Sequence, residues 1–189
     1  SRTLRTDFET LGGFWDSMLG EGRRWWITAT SDSHVHWTDG GADFWPGEYS
    51  KTYVRASKTH DAILTSIRAG RVFVTTGDLV TSVDFMARTA GNKNPAETGE
   101  TLKVPQGQSV KIVLKITDPS SPNANGDTPR LARVDLIRGK VTGRGSNLKA
   151  NTNPTTTVAA RFTADSWEQS GDNITIMFNI PDLNDNEYI

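Results

Sequence analysis

The chain contains no cysteine among its 189 residues, which excludes disulfides, thiolate nucleophiles and cysteine-ligated zinc. An excess of charge of one sign is also lacking, because 21 basic residues face 22 acidic ones and the formal net charge is -1. The basic residues are scattered singly, whereas a nucleic-acid partner normally requires a basic face. We therefore expect no nucleic-acid partner.

Long hydrophobic runs are absent as well. No apolar stretch approaches the roughly 18 residues that a membrane-spanning helix needs, so no membrane span is expected. The opening sequence SRTLRTDFET has no apolar core of a signal peptide. An extracytoplasmic location is compatible with the lack of cysteine, which many exported proteins share. Neither a phosphate-binding G-x-x-x-x-G-K loop nor a nucleophile-elbow pattern is present.

An amphipathic helix is predicted near the start of the sequence. Its apolar residues recur at helical spacing and are Phe8, Leu11, Trp15 and Met18. Folded proteins rarely expose an apolar patch of that size. We therefore expect the helix to be covered by the β part of the chain, by the remainder of a larger domain, or by a second copy of the chain through self-association.

Strands and a second helix follow. The run WWITAT lacks polar alternation and predicts a strand covered on both faces, as in a parallel sheet. KTYVRA and RVFVTT predict two further strands, and HDAILTSIRAG between them predicts a helix that ends at Gly70. This order of elements is typical of an α/β arrangement.

Beyond residue 78 the pattern changes to strands separated by polar, turn-rich loops. SVKIVLKIT alternates strictly, and its apolar face holds Val110, Ile112, Leu114 and Ile116. SVDFMAR, ARVDLIRG, TTTVAARFTA and NITIMFNIP repeat the pattern at lower contrast. An antiparallel β-sandwich of about six strands is predicted. We place a domain boundary between residues 78 and 79, so that residues 1–78 form one domain and residues 79–189 the other.

Asp32 and His34 are the strongest candidates for a functional site. They directly follow the predicted WWITAT strand, in the sequence TATSDSH. An Asp-x-His at the carboxyl end of such a strand brings a carboxylate and an imidazole to one point, which suits a divalent metal ion. The alternative is that Asp32 caps a turn and His34 lines a loop, since the motif is short.

His36 is a candidate additional ligand, because an extended chain would place it on the same side as His34. An ordinary loop histidine is the alternative. The next loop contains carboxylates of the type that binds metals or transfers protons, although most such groups are only solvated; they are Asp39, Asp43 and Glu48. His60 is expected at the surface, and no residue is assigned a catalytic role.

Two blocks, ITATSDSH and IRAGRVFVTTG, resemble the C-terminal stretch of the PHP (polymerase and histidinol phosphatase) family of metal-dependent phosphoesterases. The resemblance covers about residues 20–80, and the blocks agree with the family in order and spacing. It implies the last strands and helices of an incomplete PHP-type (β/α)7 barrel, followed by an appended antiparallel β-sandwich. The fold class is then α+β.

By the same resemblance, Asp32 and His34 match the last metal-ligating motif of the family, in which His36 has no counterpart. The family binds zinc, manganese or iron ions, which activate a water molecule for attack on a small phosphoester substrate. Its other histidine and glutamate ligands have no counterpart in this sequence. The resemblance therefore implies the C-terminal portion of a metal-dependent hydrolase, with an incomplete metal site and no activity alone.

A non-catalytic β-sandwich that binds a glycan or a protein partner is the alternative interpretation. In that case the Asp-x-His motif is incidental. Exposed aromatic residues on one face of the sandwich would favour this alternative.

Overall fold

The computed structural model of the protein describes residues 10–31, 45, 47–91, 94–145 and 151–189. Over these residues the fold is mostly antiparallel β-sheet with few helices, an α+β arrangement. The described strands form a two-stranded, a three-stranded and a five-stranded sheet. The two-stranded sheet lies in the N-terminal part, and the other two form the larger β region.

The N-terminal part contains two helices and two strands. They are α1 (Phe14–Gly20), β1 (Ser50–Val54), α2 (His60–Arg68) and β2 (Val72–Thr76). The prediction of the first helix is confirmed for Trp15 and Met18, whereas Leu11 lies in a turn before α1 and Phe8 lies outside the described residues. That turn contains Gly12 in the left-handed backbone region, with a φ of 75°.

β1 and β2 pair antiparallel, so the prediction of a parallel sheet is wrong for these strands. Tyr53 lies opposite Phe73, and their rings stack with centroids 4.7 Å apart. The backbone N–H of Arg55 extends the pairing by donating to the carbonyl of Arg71 over 3.0 Å. Strand–helix–strand order predicts the element types, but the cross-strand contacts decide the direction of pairing.

Helix α2 has the boundaries that its sequence predicts. Thr59 caps its N-terminus, because its hydroxyl accepts a hydrogen bond from the N–H of Ala62 over 3.3 Å. Gly70 follows the helix with a φ of 75°, and its N–H donates to the carbonyl of Ile67 over 3.0 Å. The side chain of Ile63 in this helix is exposed.

Eight strands make up the larger β region in the described residues. They are β3 (Ser82–Thr89), β4 (Ala96–Glu97), β5 (Gln108–Thr117), β6 (Val134–Lys140), β7 (Thr157–Phe162), β8 (Glu168–Ser170), β9 (Asn173–Leu183) and β10 (Glu187–Tyr188). The five-stranded sheet has the order β4-β3-β5-β9-β8, and the three-stranded sheet has the order β10-β6-β7. All neighbouring strands are antiparallel. A 3-10 helix, Ala164–Ser166, precedes β8.

The two larger sheets pack face to face around a common hydrophobic core. Ile112 of β5 and Ile180 of β9 belong to one buried cluster with Leu136 of β6. The rings of Phe162 and Phe178 meet edge to face, with centroids 5.8 Å apart. The predicted apolar face of β5 is buried along its whole length, which confirms the strict alternation in its sequence.

Helix α1 packs on the three-stranded sheet. Met18 is buried, and the carbonyl of Gly20 accepts a hydrogen bond from the N–H of Thr142 over 2.9 Å. At the other end of the helix, the N–H of Asn153 donates to the carbonyl of Gly12 over 2.7 Å. The β region thus covers the inner face of this helix, in agreement with the expectation that the helix packs on another part of the chain.

Candidate functional site

Five of the predicted site residues lie outside the described part of the chain, namely Asp32, His34, His36, Asp39 and Asp43. Ser31 immediately precedes them and is described. We therefore build the site from the elements that lead to this segment. These are residues 25–31, named the motif segment below, and the antiparallel pair β1–β2.

The motif segment contacts β1 through side-chain hydroxyl groups. The N–H of Ala29 donates to Thr52 Oγ1 over 2.8 Å, and the same hydroxyl donates to the Ala29 carbonyl over 2.9 Å. One residue further on, Ser50 Oγ donates to the carbonyl of Thr30. These side-chain bonds replace the backbone ladder of a sheet, so the prediction that WWITAT forms a strand is wrong.

Trp26 joins the motif segment to the end of α2. Its indole N–H donates to the carbonyl of Arg68 over 3.1 Å, and its ring lies directly against Gly70. A side chain at Gly70 would overlap that ring, so this position requires glycine for both its backbone conformation and its contact. Trp26, which immediately precedes the first of the two family-like blocks, is consequently in contact with the second block.

The turn after β2 is fixed at the end of the β1–β2 pair at which Ser50 lies. Lys51 Nζ lies 2.5 Å from Asp78 Oδ1, and the N–H of Gly77 donates to the carbonyl of Tyr49 over 2.6 Å. Asn123, from a loop of the β region, donates its side-chain N–H to the Gly77 carbonyl over 3.0 Å. Both parts of the molecule thus hold this turn.

Glu48 and His60 are the remaining candidates, and both have local roles. Glu48 Oε2 accepts a hydrogen bond from the N–H of Trp45 over 3.0 Å, which stabilises a turn before β1. His60 is exposed and is the first residue of α2, as expected for a surface position.

Within the described residues, no group of three or more histidine, cysteine, aspartate or glutamate side chains is arranged to hold a metal ion. The chemistry of Asp32 and His34, a carboxylate and an imidazole, suits zinc, manganese and iron alike. The described part of the chain therefore contains no complete metal centre of its own.

A second polar site, which sequence analysis missed, lies within the β region. Arg138 Nη2 is 2.6 Å from Glu187 Oε1, and the Glu187 side chain is only 7% exposed. A sequence signal was present, because the two-residue period of β6 puts Leu136, Arg138 and Lys140 on one face. On this face, the two charged residues come next after the core residue. The pairing with Glu187 had no comparable signal, since β10 is only two residues long.

Tyr188 forms a polar contact between β10 and α1. Its hydroxyl donates to Asp16 Oδ1 over 3.0 Å and shares a hydrogen bond of 2.6 Å with Thr156 Oγ1. Asn153 Nδ2 donates to the same hydroxyl over 3.3 Å. Burial is the main cause that raises the pKa of Tyr188 to about 12, with the negative charge of Asp16 acting in the same direction.

The β region shows no exposed large aromatic side chain among the described residues. The exposed aromatic residues lie in the N-terminal part and are Trp25, Trp45 and Tyr49. The feature that would favour a flat aromatic binding face on the sandwich is therefore missing from the described part.

No protein-family model, curated protein or solved structure matches the chain. Among the described helices, none combines the length and apolar character needed to cross a membrane.

Proposed function

We propose that this chain contributes Asp32 and His34 to the divalent-metal site of a phosphoester hydrolase, as the C-terminal portion of a PHP-type enzyme. The observation that carries the proposal is that contacts hold the first family-like block close to the second. Trp26, which immediately precedes the first block, bonds Arg68 of the second, and Ala29 of the first block bonds Thr52 of the intervening strand. Segments about 40 residues apart in sequence are expected to lie close together if they serve one site.

The proposed roles are limited to ligand binding. A bound zinc, manganese or iron ion would supply an activated water molecule and polarise the phosphoester oxygen. The Asp32 carboxylate and the His34 imidazole hold the ion, with His36 as a candidate third donor. A two-metal site needs more ligands than these, so the remaining ones come from protein outside this sequence, and the chain alone has no hydrolase activity.

The first test is a calorimetric titration of the chain with Zn²⁺ and with Mn²⁺. We expect weak binding that disappears in the double variant Asp32→Ala, His34→Ala. His60→Ala is the matched control, because it removes an exposed histidine from the start of α2 and should leave binding unchanged. Equal heats from the double variant and the unaltered chain would rule out the metal role of Asp32 and His34.

A further inference from the structure

A cleft of about 320 Å³ opens at one end of the face-to-face sheets. Its polar side is the face of β6 on which Leu136 is buried in the core, Arg138 is half-buried and Lys140 is exposed. Its apolar side comes from Ala159 of β7 and Phe178 of β9. The space between the sheets is thus filled by apolar side chains in the core, whereas charged side chains line it at the cleft.

Glu187 lines this cleft and has unused hydrogen-bonding capacity. Its Oε1 bonds Arg138, while its Oε2 is buried and has no hydrogen-bond partner in the described residues. Buried carboxylate oxygens are nearly always hydrogen-bonded, so an unpartnered one requires an explanation. A terminal carboxylate torsion is soft, and its rotation would turn this oxygen towards a donor bound in the cleft.

The charges that line the cleft are already balanced. Glu187 neutralises Arg138, and Asp185 lies 2.6 Å from Lys140 Nζ. An ionic ligand would add an unbalanced charge beside a half-buried ion pair, which is unfavourable. A neutral ligand that both donates and accepts hydrogen bonds fits better.

Thr157 supplies a free hydroxyl at the same place. It lies directly opposite Arg138 in the pairing of β6 with β7 and lines the cleft. The part of the chain that the structure describes offers its side chain no hydrogen-bond partner, and the residue is exposed. Hydroxyl groups of a ligand would accept from Thr157 and Arg138 and donate to Glu187.

We propose that this cleft binds a neutral polyhydroxylated ligand, of the class of a sugar ring or a cyclic polyol. Such rings carry hydroxyl groups that donate and accept at once, and they carry apolar C–H groups that match Ala159 and Phe178. This inference does not depend on the proposed metal site, because none of its residues belongs to the motif segment or to β1–β2.

The test is a titration of the isotope-labelled chain, followed by the amide signals of β6, β7 and β10 in NMR spectra. The neutral probes are D-glucose, D-mannose and myo-inositol, and the ionic probes are acetate, inorganic phosphate and methylammonium. We expect at least one neutral probe to shift signals of Gly139, Thr157 and Glu187 with a millimolar dissociation constant. The ionic probes should produce no saturable shift there.

Thr157→Val should weaken binding several-fold without loss of folding, because this hydroxyl is exposed and bonds nothing in the described chain. Thr128→Val, at an exposed loop position that does not line the cleft, is the matched control and should bind as the unaltered chain does. Glu187→Gln keeps the size of the side chain and should also weaken binding. Saturable binding of an ionic probe alone, or no saturable shift with any probe, would overturn the proposal.

Discussion

The β region and the N-terminal part bury their side chains in different ways. In the described residues, all strongly buried large hydrophobic residues but Met18 belong to the β region. The N-terminal part buries mainly small polar side chains, such as Ser50, Ser66 and Thr75. Its large apolar residues are more often exposed, including Trp45 and Leu64.

This difference indicates where the free energy of folding originates. The β region has a core of branched aliphatic residues from two sheets, which provides most of the stability of a domain. The N-terminal part has one isolated strand pair, which is marginally stable by itself. It is held by hydrogen bonds, ion pairs and the contact of α1 with the three-stranded sheet. We therefore expect its stability to depend on the β region, and not the reverse.

The largest expected effect separates a core position from a surface position on the same strand. Ile180 of β9 is 0% exposed, whereas Met177 is 53% exposed. Ile180→Ala should lower the free energy of unfolding by about 2–5 kcal/mol, because it leaves a cavity between the sheets. Met177→Ala should change it by less than about 0.5 kcal/mol. Chemical denaturation of both variants measures the difference, and similar losses would contradict the assignment of the core.

A smaller effect is expected at the contact between α1 and the β region. Asn153 is buried, and its side chain bonds the carbonyls of Asp16 and Lys140 and the hydroxyl of Thr155. Asn153→Ala leaves these partners unsatisfied and should cost about 1–3 kcal/mol. Asn151→Ala is the control, because no hydrogen bond of that side chain is found in the described residues.

Amide hydrogen exchange shows where this loss occurs. In the Asn153→Ala variant, exchange should accelerate in α1 while β5 and β9 keep their protection, since local opening needs less free energy than global unfolding. Equal acceleration in α1 and in β5 would mean that the two parts unfold as one unit. That result would contradict the expectation that the N-terminal part depends on the β region and not the reverse.

Alkaline pH provides a third test of the same contact. The pKa of Tyr188 is raised from its usual 10.0 to about 12, mainly by burial. The folded state therefore holds this proton more tightly, and its stability should fall as pH rises from about 10 towards 12. Tyr188→Phe should reduce this dependence. Chemical denaturation of the two proteins from about pH 10 towards 12 measures it, and the same loss of stability in both would contradict the raised pKa of Tyr188.

The smallest expected effect concerns the ion pairs between β1–β2 and the five-stranded sheet. Arg55 bonds Asp84 over 2.8 Å and Glu97 over 2.7 Å, and the three side chains are 58%, 37% and 41% exposed, in the order Arg55, Asp84, Glu97. Arg55→Ala should cost about 0.2–1 kcal/mol, less at high salt. Arg88→Ala, on the exposed side of β3 and without an ion pair in the described chain, serves as the control. Thermal unfolding at low and high salt distinguishes the two variants.

The fold of the β region could be predicted well from the sequence. Strict alternation in β5 and weaker alternation in β3, β6, β7 and β9 located these strands, because one buried face imposes a two-residue period. The short strands β4 and β8 were not predicted. Two or three residues carry too little periodicity to be distinguished from a loop.

The N-terminal part was predicted less well, for an identifiable physical reason. WWITAT has the composition of a buried strand, yet the hydroxyls of Ser50 and Thr52 bond its backbone in place of a neighbouring strand. Such bonds depend on two specific side chains about 20 residues away, which periodicity does not reveal. Asp32 and His34 stay predictions, as does the boundary between residues 78 and 79. The Arg138–Glu187 pair joins strands that are far apart in sequence, so linear patterns did not reveal it.

The bond between Asp16 and Tyr188 also has a consequence for the time course of synthesis. The two residues are 172 positions apart. At a typical rate of translation, roughly 10–30 s pass between the appearance of the first and of the second. During the first part of that interval α1 has neither β6 nor β10 to pack on. Docking of α1 is therefore completed late, because its bond to Tyr188 can form only after that residue has left the ribosome.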